Sequence, residues 1–243
     1  MSNRSIHTLL KNWDEECPLT REEAVEVLNL PEEEMDSLME CAYALRTKYK
    51  GKKVSVQLLT NVRSGNCTQN CAYCAQSKDS QAEIEKYKRV SDEKLYGDND
   101  LVDEKHLARH CIGLSGIGFS DEEIEDLADR IREMKKKDTQ ICCSIGFLTE
   151  KQARILKDAG LDRINHNLNS SRSFYPEICT THTYDQRVNN IKMLQSLGFE
   201  ICSGGIVGMG ESKEDIVDML MDLREINPES VSYTHLTLPT KLE

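Results

Sequence analysis

From about residue 53 onward, short runs rich in β-formers alternate with amphipathic helices. This alternation constrains the fold more than any other feature of the sequence. The strand runs are Val54–Thr60, His110–Leu114, Gln140–Ile145, Arg163–Asn167, Glu200–Val207 and a fragment near Ser230. Helix starts lie between them: Ser120-Asp-Glu-Glu123, Thr149-Glu-Lys-Gln152 and Ser212-Lys-Glu-Asp215. Gly160 and Gly198 stand where helices should stop. Repeated βα units make a parallel sheet with right-handed crossovers. Five or six in a row give an α/β fold of the (β/α) TIM-type barrel, with chemistry at the C-terminal ends of the strands. One segment fits poorly. Tyr96-Gly-Asp-Asn-Asp100 carries turn residues where a helix should return the chain to the second strand, so a broken helix or a loop is expected there.

Ahead of the barrel, residues 4–50 read as helical. Thr20-Arg-Glu-Glu23 is a capping box, and Pro31 precedes Glu32–Glu34 and then Met35, Leu38, Met39 and Ala42 at helical spacing. The expected organisation is an N-terminal helical extension over 1–52, packed on a barrel over 53–231.

The 243 residues carry a formal charge of −11, with an acidic isoelectric point near 5.1. An acidic surface argues against broad binding to nucleic acid or to an anionic membrane. The one dense basic run, Lys135 to Lys137, ends a predicted helix, where it complements the helix dipole. No apolar run is long enough to span a bilayer, and Met1-Ser-Asn-Arg-Ser-Ile6 lacks the apolar core of a signal peptide. A cytoplasmic protein is expected. Ten cysteines are many for such a chain. Disulfides are disfavoured in that compartment, so tightly spaced cysteines point to metal or to chemistry.

Cys67-Thr-Gln-Asn-Cys71-Ala-Tyr-Cys74 is the sharpest chemical signal. It follows the first predicted strand, which puts it on a loop at the catalytic end of the barrel. Thiolates are soft ligands that favour iron–sulfur or zinc. A [4Fe–4S] cluster normally takes four cysteines, and this loop supplies three, leaving one iron open to an external ligand. Tyr73, beside the last of them, could pack its ring on that ligand. A zinc site usually needs a second close pair or histidines, and no second Cys–x–x–Cys unit is present.

Cys111, Cys142 and Cys202 lie in or beside the second, third and fifth predicted strands. A lone buried cysteine in a strand is usually a small core residue. Three on separate strands could instead converge inside the barrel on a second cluster, and spacing alone leaves both readings open. Cys143 neighbours Cys142, and only one of them can point inward. Cys17, Cys41 and Cys179 fit no cluster pattern and read as structural or free; His166 reads as a packed, hydrogen-bonded residue.

The first triad and its place after a strand resemble the radical S-adenosylmethionine superfamily. From about Val54 to Ser230 the chain resembles the biotin synthase family motif by motif. The matching segments are Asn66 to Ser77, Asn165-His-Asn-Leu-Asn169, Thr180-Thr-His-Thr-Tyr184 with Arg187, and Cys202-Ser-Gly-Gly-Ile-Val-Gly-Met-Gly-Glu211. The resemblance implies a [4Fe–4S] cluster on Cys67, Cys71 and Cys74 whose open iron binds S-adenosylmethionine. It implies an auxiliary iron–sulfur cluster ([2Fe–2S] or a related type) on Cys111, Cys142 and Cys202 as the sulfur source, with Cys142 rather than Cys143 pointing inward. The implied activity is sulfur insertion into dethiobiotin, with an electron donor such as flavodoxin or ferredoxin and a homodimeric assembly. It places Asn167 and Asn169 near the substrate and the ribose, and pairs Arg187 with the methionyl carboxylate. It makes Gly204 and Gly205 part of a strand that lets the adenosyl group approach. The family commonly has an aspartate where this chain has Asn169, which keeps an amide but loses a charge.

The family barrel has eight strands, and this sequence departs from the family near the sixth. Ser232-Tyr-Thr-His-Leu-Thr-Leu-Pro-Thr-Lys-Leu-Glu243 resembles nothing in it and reads as translated adaptor sequence, a tail over 232–243 outside the fold. On that expectation the barrel is truncated, and an arginine that many members bring to the auxiliary cluster from a later strand is absent. Competing expectations are a relative of the hydrogenase maturase or methylornithine synthase type, or a zinc-binding interaction module.

Overall fold

In the computed structural model, which describes residues 18–235, six parallel strands lie in sequence order β1 to β6. They are β1 (Gln57–Arg63), β2 (Arg109–Leu114), β3 (Ile141–Ser144), β4 (Arg163–Asn165), β5 (Glu200–Val207) and β6 (Ser230–His235). Between them run α3 (Asp92–Glu104), α4 (Asp121–Met134), α5 (Glu150–Asp158), the short α6 (Tyr175–Ile178), α7 (Tyr184–Ser196) and α8 (Lys213–Ile226). This is the expected βα alternation. The expected boxes at Ser120, Thr149 and Ser212 cap α4, α5 and α8, and Thr183 with Gln186 forms another on α7. Gly160 and Gly198 take left-handed φ of 97° and 77° just past α5 and α7, a conformation that costs glycine little.

Strand alternation divides the sheet into two chemistries. The outer row Ile112–Cys143–Ile164–Ile201 runs across four strands in register and joins Ile124, Leu127, Ile131, Leu156, Ile191 and Leu194 in one core. The inner rows are polar. Leu59, Cys111, Cys142, Arg163 and Glu200 are successive Cα partners, and the next row is Asn61, Gly113, Ser144, Asn165, Cys202 and Ser230. Helices cover the apolar face, and chemistry is left to the other.

Ahead of the barrel, α1 (Arg21–Leu28) has the Thr20–Glu23 capping box, and a 3-10 turn (Glu32–Glu34) leads into α2 (Met35–Lys50). Helix α1 docks on α8 through the Arg21–Asp218 pair at 2.5 Å and Arg224 donating to the Leu19 carbonyl. Helix α2 buries no residue among those described, and Met39 is 64% exposed. Residues 4–17 of the expected helical segment, with Cys17, lie outside the described residues.

Three sequence expectations need correction. First, β1 starts at Gln57 rather than Val54; Val54 and Val56 are β-branched but exposed, and the ladder with β2 begins at Gln57↔Arg109. Second, α3 runs unbroken through Tyr96-Gly-Asp-Asn-Asp100. Its polar residues hold tertiary bonds rather than making a turn. Asp98 accepts from the Thr60 hydroxyl at 2.7 Å and from Lys94 at 2.6 Å. Asn99 donates to the Met134 carbonyl and meets His110 Nδ1 at 3.2 Å. Third, β6 extends through Ser232–His235, which the sequence assigned to the tail. A backbone ladder pairs peptide groups rather than side chains, so it forms here whatever residues it carries. Residues 236–243 lie outside the described residues.

Candidate metal and cofactor centre

The loop after β1 holds its shape by backbone capture. Gly65 and Asn66 both take left-handed φ, 70° and 54°, and a Cβ at Gly65 would stand 2.6 Å from Lys86 Cγ. The Gly65 amide donates to Gln76 Oε1 at 2.7 Å, and its carbonyl accepts from Ser115 Oγ at 2.6 Å. Cys74 N bonds the Cys71 carbonyl, and Lys78 N the Gln69 carbonyl. These bonds wind Cys67, Cys71 and Cys74 around one end of a cleft of about 260 Å³. Cys71 is buried, while Cys67 and Cys74 are half-buried. Across the cleft lie Ser144, Asn165, Asn167, Asn169, His182 and Arg187, from the C-terminal ends of β3 and β4 and from α7.

Cys71 is the most constrained of the three. Burial, with Cys179 beside it, pushes its thiol up to about 12. Tyr73 lies in the same contact: its hydroxyl bonds Cys71 and accepts from Asn169 Nδ2 at 2.6 Å. Burial raises the Tyr73 phenol, which therefore stays protonated. Asn169 sits at φ 72°, a left-handed conformation that asparagine adopts more readily than most residues. Its carbonyl accepts from Ile206 N, and its amide N–H bonds Gly204 O. One N–H of the Asn169 side-chain amide is thus given to Tyr73, and its second N–H and its Oδ1 remain.

Arg187 is half-buried and clasped on three sides. Nε donates to the Tyr175 hydroxyl at 2.5 Å, Nη1 to the Asn167 carbonyl at 3.1 Å and Nη2 to His182 Nε2 at 2.8 Å. A guanidinium has five N–H groups, so two remain for an acceptor in the cleft. Asn167 Oδ1 accepts from Ser232 Oγ at 2.9 Å. Of the two glycines, Gly204 abuts Ser232, whose backbone oxygen a Cβ would overlap, while Gly205 faces α8, where a Cβ would run into Met219 Sδ. At both positions an added side chain would meet the protein itself.

Deeper in the sheet, Cys111 and Cys142 are Cα partners, and Cys111 Sγ donates to Gln57 Oε1 at 2.9 Å. Cys202 lies one row further along and interacts with Cys142. Cys143 faces the opposite way and is fully buried in the outer core. The neighbouring Cys142 thiol lowers the Cys111 thiol, and Arg109 and Arg163 add to this against burial. Both arginines pair with Glu200, at 3.2 and 2.7 Å. Among the described residues, buried Arg109 Nη1 has no hydrogen-bond partner. Three thiols, two cations and an orphaned donor fit an anionic iron–sulfur cluster better than a cation such as zinc. The mouth triad places three soft sulfur donors around one end of a cleft, the donor set of an iron–sulfur cluster.

Sequence reasoning missed Cys179. Its Sγ lies 3.8 Å from Cys71 Sγ and 3.3 Å from His182 Nδ1. These three residues bring their ligand atoms within 4.8 Å of one another. The available signal was Cys179-Thr-Thr-His182, a spacing that places both side chains on one turn.

Residues 61–223 match the Radical SAM superfamily. The chain is 40% identical over 219 residues to the biotin synthase of Geobacillus kaustophilus, covering 90% of this chain and 66% of that one. It is 40% identical over 215 residues to the biotin synthase of Rhodopirellula baltica, covering 88% and 60%. It is 39% identical over 228 residues to the biotin synthase of Bacillus subtilis, covering 93% and 68%. The chain therefore spans 60 to 68% of the length of these relatives. Methylornithine synthase superposes with a TM-score of 0.83 at 17% identity, over 96% of this chain and 67% of that one. The hydrogenase maturase HydG from Carboxydothermus hydrogenoformans gives 0.81 at 19%, over 96% and 56%. Those two likenesses show the shared fold alone. Fold, family match and sequence identity agree: the chain belongs to the radical SAM superfamily and, within it, to the biotin synthase family.

Proposed function

We propose that this chain carries the catalytic core of a biotin synthase, which inserts one sulfur into dethiobiotin. The observation that carries the reading is the pair of thiol triads on one polar face, Cys67, Cys71 and Cys74 at the mouth and Cys111, Cys142 and Cys202 inside. The mouth triad would hold a [4Fe–4S] cluster with one iron left for S-adenosylmethionine, and the inner triad the auxiliary cluster that gives up sulfur. When bound, these groups supply radical cleavage of S-adenosylmethionine and the sulfur atom, so that two C–H bonds of dethiobiotin give way to two C–S bonds.

The protein's own residues bind and orient. The two free N–H groups of Arg187 suit the methionyl carboxylate, and its three protein bonds fix the fork in place. Asn165 and Asn167 line the same cleft as the mouth triad, where a ureido ring needs amide partners. Asn169 braces the Tyr73 hydroxyl and keeps an N–H and its Oδ1 for the ribose. Flavodoxin or ferredoxin as electron donor, a homodimer and a cytoplasmic setting complete the reading. No helix among the described residues is long and apolar enough to cross a membrane.

Anaerobically reconstituted protein, supplied with dethiobiotin, S-adenosylmethionine and a reductant, is expected to form biotin and 5′-deoxyadenosine. The assay is run on the chain and on a form extended to the length of its relatives. Production of 5′-deoxyadenosine by the extended form without biotin would leave the superfamily and remove the substrate.

A further inference from the structure

Two loops meet beside Cys71, and they are fastened together. Ala72 N donates to the Ile178 carbonyl at 2.9 Å, joining the residues that flank Cys71 and Cys179. Asn70 Oδ1 accepts from Thr180 N at 3.1 Å and Thr181 Oγ1 at 3.0 Å, while Asn70 Nδ2 donates to Thr180 Oγ1 at 2.7 Å. The 3.8 Å contact between Cys71 and Cys179 is therefore set by backbone, not by two free side chains.

The direction of each bond follows from what its partner can do. Arginine has no acceptor, so His182 Nε2, 2.8 Å from Arg187 Nη2, offers its lone pair. Tyr175 accepts from Arg187 Nε, so its own proton also goes to His182 Nε2, at 2.9 Å. A neutral ring then carries its proton on Nδ1, which faces Gln69 Oε1 at 3.0 Å and Cys179 Sγ at 3.3 Å. That single proton goes to Gln69 Oε1, the nearer and stronger acceptor, and Cys179 keeps its own proton to give. Three acceptors stand near: Asn70 Oδ1 and Thr181 Oγ1, each at 3.5 Å, and Cys71 Sγ at 3.8 Å. Asn70 Oδ1 already accepts twice, and Thr181 Oγ1 accepts from Asn70 N. Thr181 Oγ1 keeps a lone pair, but an iron-bound Cys71 sulfur, being anionic, is the strongest of these acceptors. Between two free thiols the bond runs from Cys71 to Cys179; as an iron-bound thiolate Cys71 has no proton to give, so donation then runs from Cys179.

We propose that Cys179, held in place by the bonds of Asn70 and Ala72, donates a hydrogen bond to the ligand sulfur of Cys71 and raises the reduction potential of the mouth cluster. The inference rests on the reading of Cys71 as a cluster ligand. Hydrogen bonds to ligand sulfurs stabilise the extra negative charge of the reduced cluster. Cys179 is a positioning residue in this scheme: it acts through Cys71 and touches no substrate.

The test uses the reconstituted chain with Cys179→Ala and Cys179→Ser. Iron and sulfide are counted, and a redox titration follows the electron paramagnetic resonance signal that Cys71→Ala abolishes. All three proteins are expected to hold the same cluster. Cys179→Ala should titrate at a lower potential than the parent, and Cys179→Ser, which keeps a donor, should lie closer to the parent. Equal potentials in the parent and Cys179→Ala, with the cluster present in both, would overturn the proposal and leave the functional reading intact. Loss of the cluster in both variants would make Cys179 a ligand and overturn it too. A parent chain that assembles no mouth cluster would overturn the functional reading and this inference together.

Discussion

Asn169 holds the Tyr73 hydroxyl at 2.6 Å from a backbone at φ 72°, tying the end of β4 to the cysteine loop. One residue thus carries both a conformational cost and a buried polar bond, and the two separate by substitution. Asn169→Gly loses only the bond, worth about 1 to 3 kcal/mol for a buried partner. Asn169→Ala loses the bond and adds left-handed strain of about 1 to 2 kcal/mol. Urea unfolding should rank parent above Gly above Ala; an Ala variant as stable as Gly would deny the strain.

The unbroken helix α3 makes a sharp claim at Gly97, where a Cβ would meet nothing within 4 Å. Gly97→Ala should raise stability by about 0.5 to 1 kcal/mol, the usual gain in a helix interior. A loss of similar size would mean that Tyr96 to Asp100 turns after all.

Much of the fold was legible because its signals are local. Capping boxes at Ser120 and Thr149 and the helix stop at Gly160 need only neighbouring residues to act. What failed was long-range. Asp98 and Asn99 look like turn residues until Thr60, His110 and Met134 are seen to claim them. The mouth triad stood out by its spacing, whereas spacing left the three strand cysteines open and only the family resemblance grouped them. Cys179 was not legible, because its partner Cys71 is 108 positions away and meets it only through α6 and the clasp of Asn70.

His166 sits fully buried against Phe147, with ring centroids 5.2 Å apart, and bonds the Ile145 carbonyl. Burial, aided by Arg187, pushes its pKa down to about 3. The unfolded ring titrates near the ordinary value of 6.5, so between these values the unfolded chain binds more protons than the folded one. Stability from this group is present above about pH 6.5 and is lost as the pH falls toward 3, at up to about 1.4 kcal/mol per pH unit. Urea unfolding at pH 7 and pH 5 should show a shallower drop in His166→Asn than in the parent. An identical slope would place the titration elsewhere.

Gly205 stands where α8 crosses β5, and a Cβ there would need the space that Met219 Sδ now fills. Gly205→Ala should destabilise by about 1 to 3 kcal/mol through overpacking. Adding Met219→Ala should recover part of that loss, a coupling that a double-mutant cycle reads directly. Additive losses would place the pressure on Gly205 somewhere other than α8.

The central claim is that two separate sets of three thiols each build an iron–sulfur centre. Iron and acid-labile sulfide, counted after anaerobic reconstitution, test it most directly. The parent should hold two clusters, Cys71→Ala and Cys142→Ala one each, and the double variant none. A parent count of one that survives Cys142→Ala, or any cluster left in the double variant, would contradict it.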